Sequence, residues 1–543
     1  MLIIKLIFSA VIWLRVQTGM TINHVALLGE EIMRKRYVMG LAVIAAVTCM
    51  STAYAMDTFM VGPRAMGMAG ANVASVDNNS AQYYNPAAFG FFGRHNKDES
   101  KSAGDNNNLG RKNFGFDVYA GAGVDIKEDM GKYLDTLAAI DIDNLSSNGI
   151  QNESDLQDIV NLVTSLNGLD KPGNALMIDV NAGTSLRFKN FGLGVRGYSQ
   201  VVGYVSEVDQ DNLGLNLTGD LATEINNSVA TTGIDYTGSA DSFFTPDQKI
   251  ALIAALNGNA AAVDKVAYYA AQQGVTPQQT DELIATFGKI AAQSGSTTDL
   301  NKNTTTVVLN GFGVAEVPLT YGYALNDNIA IGANLKLMKG RVYGTQVLVF
   351  DDGSGDVLEK SDENFQETTT FGVDLGVMAR YGIFNFGLTG RNLNSPKFDG
   401  FEKDIFYNFA DGTPNPAPKH ITVADVKLKP QATAGIAFIP FETFTIEVDY
   451  DLTKNETALT DYKTQNLSAG LEWDILRSLA LRVGAYKNMA ESDTGVVYTA
   501  GLGLNLWAVR LDVAAAASPD KAEYDGEEVP KLAKASVQVS VDF

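Results

Sequence analysis

The chain has 543 residues, of which 45% are hydrophobic and 19% charged, with a net charge of −22, 52 glycines and one cysteine. It is too apolar for disorder, too irregular in its glycines for collagen and too poor in cysteine for a disulfide scaffold. No window holds 18 consecutive apolar residues, which excludes a bundle of transmembrane helices but not a membrane barrel, whose strands leave only a weak hydropathy signal.

Met33 is followed by Arg34, Lys35 and Arg36, an apolar stretch from Val38 to Thr48, and Ser51-Thr52-Ala53-Tyr54-Ala55. A basic start, an apolar middle and a small-x-small site describe a secretory signal over 33–55, with cleavage expected after Ala55. Residues 1–32 then form an upstream extension from a start codon placed too early; the rival reading makes Met1 to Leu14 a second apolar anchor. N-terminal sequencing of the exported protein separates them, and a chain beginning at Met1 refutes cleavage. Removing 1–55 leaves 36 basic against 61 acidic residues, a charge of about −25 that argues against a nucleic-acid partner. Cys49 lies inside the signal, and Thr48 before it fits a lipoprotein site poorly. The mature chain keeps no thiol and two histidines, His95 and His420.

Residues 56–110 lack strand periodicity. They carry the small-residue run Gly62 to Ala74, which includes Arg64, Gly67 and Asn72, and then Ala81-Gln82-Tyr83-Tyr84-Asn85-Pro86-Ala87. Small residues permit close packing and Asn-Pro marks a turn, so this stretch is expected to plug the lumen of the barrel that follows.

From residue 114 the period is two. Strands are expected at about 114–126, 175–188, 191–205, 312–325, 329–349, 367–381, 383–392, 431–439, 443–452, 465–473, 478–487, 495–506, 509–517 and 533–543. Their connections alternate strictly between short and long, which for fourteen strands gives six turns on one side and seven loops on the other. A sandwich has no reason to separate its connections in this way, whereas an outer-membrane barrel does. The expected fold is thus an all-β, 14-stranded antiparallel transmembrane barrel over 111–543. Its apolar rows face lipid and its polar rows line the lumen, among them Arg187, Arg196, Lys336, Arg380, Asp374, Arg391, Glu447, Asp449, Glu472, Arg482, Arg510 and Asp512. These charges form a structural salt-bridge mesh or a selectivity filter. The terminal Phe543 is similar to the signal by which such barrels are taken up by the barrel-assembly machinery.

Two insertions, 127–174 and 206–303, carry helical patterns. Thr245-Pro246-Asp247-Gln248 and Thr276-Pro277-Gln278-Gln279 each read as an N-cap, a proline at N1 and a capping box, with a further helix over Val263 to Gln273 and another between Ser154 and Leu166. They form an extracellular cap that packs its own apolar face, or a ligand-catching surface above the barrel mouth.

Here a resemblance enters. The run Arg64 to Asn72 followed by Ala81 to Pro86 resembles the start of the FadL family of outer-membrane transporters for hydrophobic compounds, which place a small N-terminal hatch inside a fourteen-strand barrel. Glu316 to Tyr323, Gly340 to Gly344 and Gly390 to Asn394 look like the exported proteins filed as conjugal transfer protein TraF. The resemblance implies hatch-gated uptake of long-chain fatty acids or hydrocarbons across the outer membrane of a Gram-negative cell, beside lipid and lipopolysaccharide. Arg64, Gly67, Asn72, Tyr83, Tyr84, Asn85 and Pro86 are then the hatch and gate candidates, and Phe89, Phe91 and Phe92 lie on the path of a hydrophobic ligand. The alternative is a structural component of a conjugal transfer or pilus system. The acidic loop 351–356 lacks the ligand spacing of an EF-hand. Catalysis finds no footing, since His95 and His420 have no evident partners, and no cofactor or metal is expected.

Overall fold

The computed structural model describes residues 57–94, 109–171, 173–216, 219–228, 233–293, 298–299, 302–348, 364–406, 408, 413–414, 418–459, 462–491, 495–506, 509–524 and 527–543. The upstream extension 1–32, the signal segment 33–55 with Cys49, His95 and the acidic loop 351–356 lie outside the described residues.

Fourteen strands close into one barrel, each paired with its neighbours in sequence and the last with the first. They are β1 (Phe114–Lys127), β2 (Ala175–Phe188), β3 (Phe191–Glu207), β4 (Thr306–Ala324), β5 (Ile329–Leu348), β6 (Phe365–Tyr381), β7 (Phe384–Arg391), β8 (Gln431–Phe441), β9 (Phe444–Asp451), β10 (Asn466–Ile475), β11 (Leu479–Asn488), β12 (Val497–Leu506), β13 (Val509–Ala517) and β14 (Leu532–Asp542). Every expected strand is present. The main difference is β4, which begins at Thr306 rather than 312. Residues 306–312 are buried on both faces, so they do not show the alternation by which the rest of the strand is recognised.

The outer face is apolar. Leu335, Leu337, Phe371 and Leu375 on β5 and β6 are each at least half exposed, which lipid tolerates and water does not. Phe188, Phe191, Tyr321, Tyr323, Tyr381 and Phe384 cluster beside the tight turns and are exposed, as in the aromatic girdle of a membrane barrel. Closure pairs the strand edges within the sheet, and together these features make an outer-membrane-type barrel.

β4 and β5 have 19 and 20 residues, whereas about 9–11 suffice to cross a bilayer. Their loop ends therefore rise above the lipid. The insertions hold α3 (Met130–Ala139), α4 (Ile142–Asn148), α5 (Glu153–Leu169), α6 (Leu221–Ser228), α7 (Ser239–Phe243), α8 (Pro246–Ala255), α9 (Ala260–Gln272) and α10 (Pro277–Ala292), after α1 (Pro63–Gly67) and α2 (Ala81–Tyr84) near the N-terminus. Leu156, Ile159 and Phe287 of these helices share one core with Leu176, Ile178, Val201, Val205, Val307 and Leu309. By strand parity those six point out of the barrel, in the same rows as exposed Leu186, Leu193 and Leu319. The helices thus clad the outside of β2 to β4 above the bilayer, and their apolar faces have a partner beyond one another. The capping box expected at Thr245 forms; at Thr276 the backbone N–H donates to Gln279 Oε1 at 2.9 Å, and Asn152 adds a box that was not expected, while α3, α4, α6 and α7 are further short helices that the sequence patterns did not isolate.

Candidate gate in the barrel lumen

Residues 57–94 bond to inward-facing groups of strands from around the barrel. Glu447 and Asp449 stand two apart on β9 and so project to the same side. Asn72 and Val73 N–H donate to Asp449 Oδ2 at 2.8 and 2.9 Å. Ala74 and Ser75 N–H donate to Glu447 Oε1 at 2.6 and 3.2 Å, and the Ser75 hydroxyl donates to Glu447 Oε2. This stretch has no regular secondary structure to satisfy its amides, and two carboxylates of the wall do so instead. Five hydrogen bonds thus meet two carboxyl groups of one strand, and this clamp ties the segment to the wall.

Beside the clamp, Arg64 donates from Nε and Nη2 to Glu472 at 3.1 and 2.9 Å, from Nη1 to Asn72 Oδ1, and from Nη2 to Ser75 Oγ at 3.2 Å. Glu472 also accepts from Arg482 Nε at 2.6 Å, and Arg482 Nη1 donates to Asp512 Oδ1 at 2.8 Å. The mesh thereby runs from the segment through β10 and β11 to β13. Burial alone would raise the Asp77 carboxyl, but Lys112 and then Arg64 hold it below its ordinary value. Its contribution to the seat is complete at neutral pH and is lost only as pH falls beneath the usual carboxylate range.

The turn at Asn85-Pro86 lies against a stripe of glycines. Gly322, Gly332 and Gly376 face one another across β4, β5 and β6. A Cβ at Gly332 would sit 2.2 Å from the Pro86 carbonyl carbon, one at Gly322 2.2 Å from Gly90 N, and one at Gly376 2.2 Å from Asn85 Oδ1. Only glycine lets the two backbones approach so closely. Asn85 Nδ2 donates to the carbonyls of Val73 and Val377 at 2.9 and 3.1 Å, while its Oδ1 accepts from Ala87 N–H at 3.1 Å. One side chain therefore ties the turn to the wall and to the clamped stretch.

The remaining gate candidates hold the same segment together. The Tyr83 and Tyr84 hydroxyls accept the N–H groups of Phe59 and Val61 at 3.1 and 2.8 Å. Gly67 lies against Gly501 and Arg482, and its carbonyl accepts from Thr499 Oγ1 at 3.0 Å. Phe89, Phe91 and Phe92 are buried in a cluster with Val76, Leu109, Ala330 and Met378 near the tight turns. Arg187 stacks on Phe92 at 3.9 Å and Arg380 on Phe91 at 4.7 Å. Arg391 lies over Tyr83 at 4.4 Å, Arg196 is 3.7 Å from Glu316, and Lys336 bridges Glu316 and Asp374 at 3.3 and 3.0 Å. The charges named from the sequence are thus woven into ion pairs, hydrogen bonds and stacks.

The lumen is not polar throughout, which corrects the expectation that only wet rows face inward. Along β4 the inward row runs from Gly322 and Thr320 through Glu316 to Val314 and Phe312; along β5 it runs from Gly332, Asn334 and Lys336 to Met338 and Val342. Toward the long loops these two strands therefore present an apolar stretch that shares a core with Tyr198, Val202, Phe59 and Val61, while the ion pairs Lys127–Asp125 and Lys534–Asp179 keep the lumen polar on β1, β2 and β14. Alternation distinguishes two faces, but it cannot identify one on which apolar residues stand inside as well as outside.

A second closure comes from the loop between β7 and β8. Phe398 is fully buried, with its ring 4.8 Å from that of Phe312 and pressed against Gly340. It is held in a two-residue ladder, Lys397–Phe398 with Val426–Lys427, beside a hairpin pairing Phe401–Ile405 with Lys419–Val423. Both lay in stretches read as loop. The hairpin also gives His420 a partner, since its Nδ1 is 2.7 Å from Asp404 Oδ1 and both side chains are exposed. Replacing Phe398 with Ala should release this loop, as large-to-small changes of a buried Phe cost about 3–5 kcal/mol. A cysteine introduced at Val342 should then react with external thiol reagents at least tenfold faster.

The glycine stripe, the Asn85-Pro86 turn, strands β1 to β9 and the two carboxylates of the clamp lie in the stretch in which the chain matches a known family. Residues 82–451 match the family described as "F plasmid transfer operon, TraF, protein". The chain belongs to that family. No curated protein matches the sequence. Among solved structures, the P. putida toluene transporter TodX shares 11% identity over 90% of this TraF-family chain and 99% of its own, with a TM-score of 0.44. The Ralstonia pickettii toluene transporter TbuX shares 10% over 90% and 98%, at 0.41, and a Pseudomonas aeruginosa FadL homologue 10% over 91% and 99%, at 0.40. Among the described residues of this TraF-family barrel, no group of His, Cys, Asp and Glu is placed to hold a metal.

Proposed function

We propose that the chain is an outer-membrane channel for uptake of hydrophobic small molecules, with residues 57–94 as its hatch. The observation that carries this is the apolar stretch of lumen wall on β3 to β5. Barrels that pass water and ions have polar interiors. Here Phe312, Val314, Met338 and Val342 face inward, between the hatch on one side and the Phe398 loop on the other. An apolar guest would replace the contacts these two closures now make, enter when the loop lifts and leave when the hatch shifts. The glycine stripe and the carboxylate clamp suit that task because they fix the hatch by contacts made only in the seated position. A barrel-assembly role for Phe543, 62% exposed with its ring 5.4 Å from that of Phe114, and cleavage after Ala55 belong to the same reading.

The test is uptake of labelled long-chain fatty acids and of aromatic hydrocarbons into cells with and without the protein, together with Asn85→Ala. The wild type should accelerate uptake and the variant should change the rate at least threefold, provided heat-modifiable gel mobility shows a folded barrel. Equal uptake with and without the protein removes the proposal. A drop in plasmid transfer on deletion, with uptake unchanged, would favour the structural role that the family description evokes.

A further inference from the structure

The helices that clad the barrel border an open cavity of about 200 Å³ between α3, α5 and the turn joining α9 to α10. It lies at the foot of the cladding. Asp129 follows the end of β1 by two residues and Lys171 precedes β2 by four. On the outer row of β1, Phe116 and Val118 are exposed like the rest of the lipid belt, whereas Val124 and Ile126 are covered by the helices. The cavity therefore stands beyond the end of the hydrocarbon, among the sugars and phosphates of an outer leaflet.

Its chemistry matches that height. Asp129 and Lys132 are exposed at its edge, Lys171 is half-buried, and Ser165 and Gln279 are buried. Asn161 and Thr164 in its wall each carry a side-chain oxygen with no hydrogen-bond partner. Lys171 is held only loosely, 3.6 Å from Glu282. This pocket sets two ammonium groups, Lys132 and Lys171, among hydroxyls and amides, with Asp129 at its edge and Glu282 beside Lys171. Ammonium groups attract phosphate, while hydroxyls, amides and a carboxylate suit the ring hydroxyls of a sugar.

We propose that this pocket binds a phosphorylated core sugar of the lipopolysaccharide around the barrel. The proposal rests on the outer-membrane placement given above, which cell fractionation checks separately. The test uses the full exported protein in detergent micelles. It measures retention of lipopolysaccharide with a phosphorylated core, retention of lipopolysaccharide truncated to lipid A, and binding of glucose 6-phosphate as a soluble probe. Lys132→Glu combined with Lys171→Glu should lower retention of the core form at least tenfold and leave the truncated form unchanged, with heat-modifiable mobility and hydrocarbon uptake as in the wild type. A second variant, Ser165→Ala, keeps the charges and should weaken glucose 6-phosphate binding severalfold. Competition by glucose 6-phosphate for the core form supports the pocket with its ligand in the membrane. Glucose 6-phosphate binding without core retention overturns the lipopolysaccharide source, and equal retention by the wild type and the folded double variant overturns the site itself.

Discussion

Replacing Glu447 and Asp449 together with alanine should unlatch the hatch while leaving the barrel folded. The two carboxylates accept four backbone amides and one hydroxyl from residues 72–75. Water can replace part of that bonding once the segment lifts, so the net loss is smaller than the sum of the bonds, on the order of 3–6 kcal/mol. A shift of that size changes the ratio of seated to unseated segment by a factor on the order of 10² to 10⁴. In planar bilayers the double variant should show frequent large openings where the wild type is quiet, and residues 72–75 should become cleavable by protease in folded protein. If conductance and cleavage match the wild type, the carboxylates do not hold the gate.

A second substitution reaches the same end by shape instead of charge. Gly332→Val places a branched side chain where even a Cβ would lie 2.2 Å from the Pro86 carbonyl carbon. Pro86 is part of the Pro86–Gly90 turn and cannot yield without moving Asn85, whose side chain joins Val73 and Val377. Valine is a good strand residue, so the pairing of Gly332 with Gly322 and Gly376 should persist. The expected outcome is a folded barrel with normal heat-modifiable mobility, a raised basal conductance and a protease-sensitive turn at 85–90. Gly382→Val on the same barrel has nothing within 4 Å to displace but adopts φ +59° in its turn, so it separates local turn strain from displacement of the hatch. A quiet, protease-resistant Gly332→Val barrel would show that the stripe is not a seat.

The barrel was legible because alternation and connection length are independent signals that agree. Asp449 between Val448 and Tyr450 marks a face, and Pro440 to Glu442 marks a tight turn, without any knowledge of tertiary contacts. The site was legible only in part. Arg64, Asn72 and Asn85 stand out as polar residues among small ones, yet their partners Glu472, Asp449 and Val377 lie 408, 377 and 292 positions away. Ser75 gave no signal, since a serine that bridges Arg64 to Glu447 reads like any loop serine. The glycine stripe left a trace, Gly322, Gly332 and Gly376 on inward rows, but a glycine in a strand also reads as a bulge or a bend. Phe398 was hidden for the opposite reason: a two-residue ladder has no period.

The unequal strand lengths have a consequence for the neighbourhood of the molecule. Strands β3 to β6 hold 17 to 20 residues and β7 to β13 only 8 to 11. At about 3.3 Å per residue the wall stands roughly twice as high on one flank as on the other. The rim is thus cut obliquely, and its tall flank is further thickened by the helices. In a crowded membrane, the helices over β2 to β4 hold a neighbour's exterior parts away from that side. Packing would then give each molecule a fixed compass bearing relative to its neighbours, with the tall flanks turned outward from any pair.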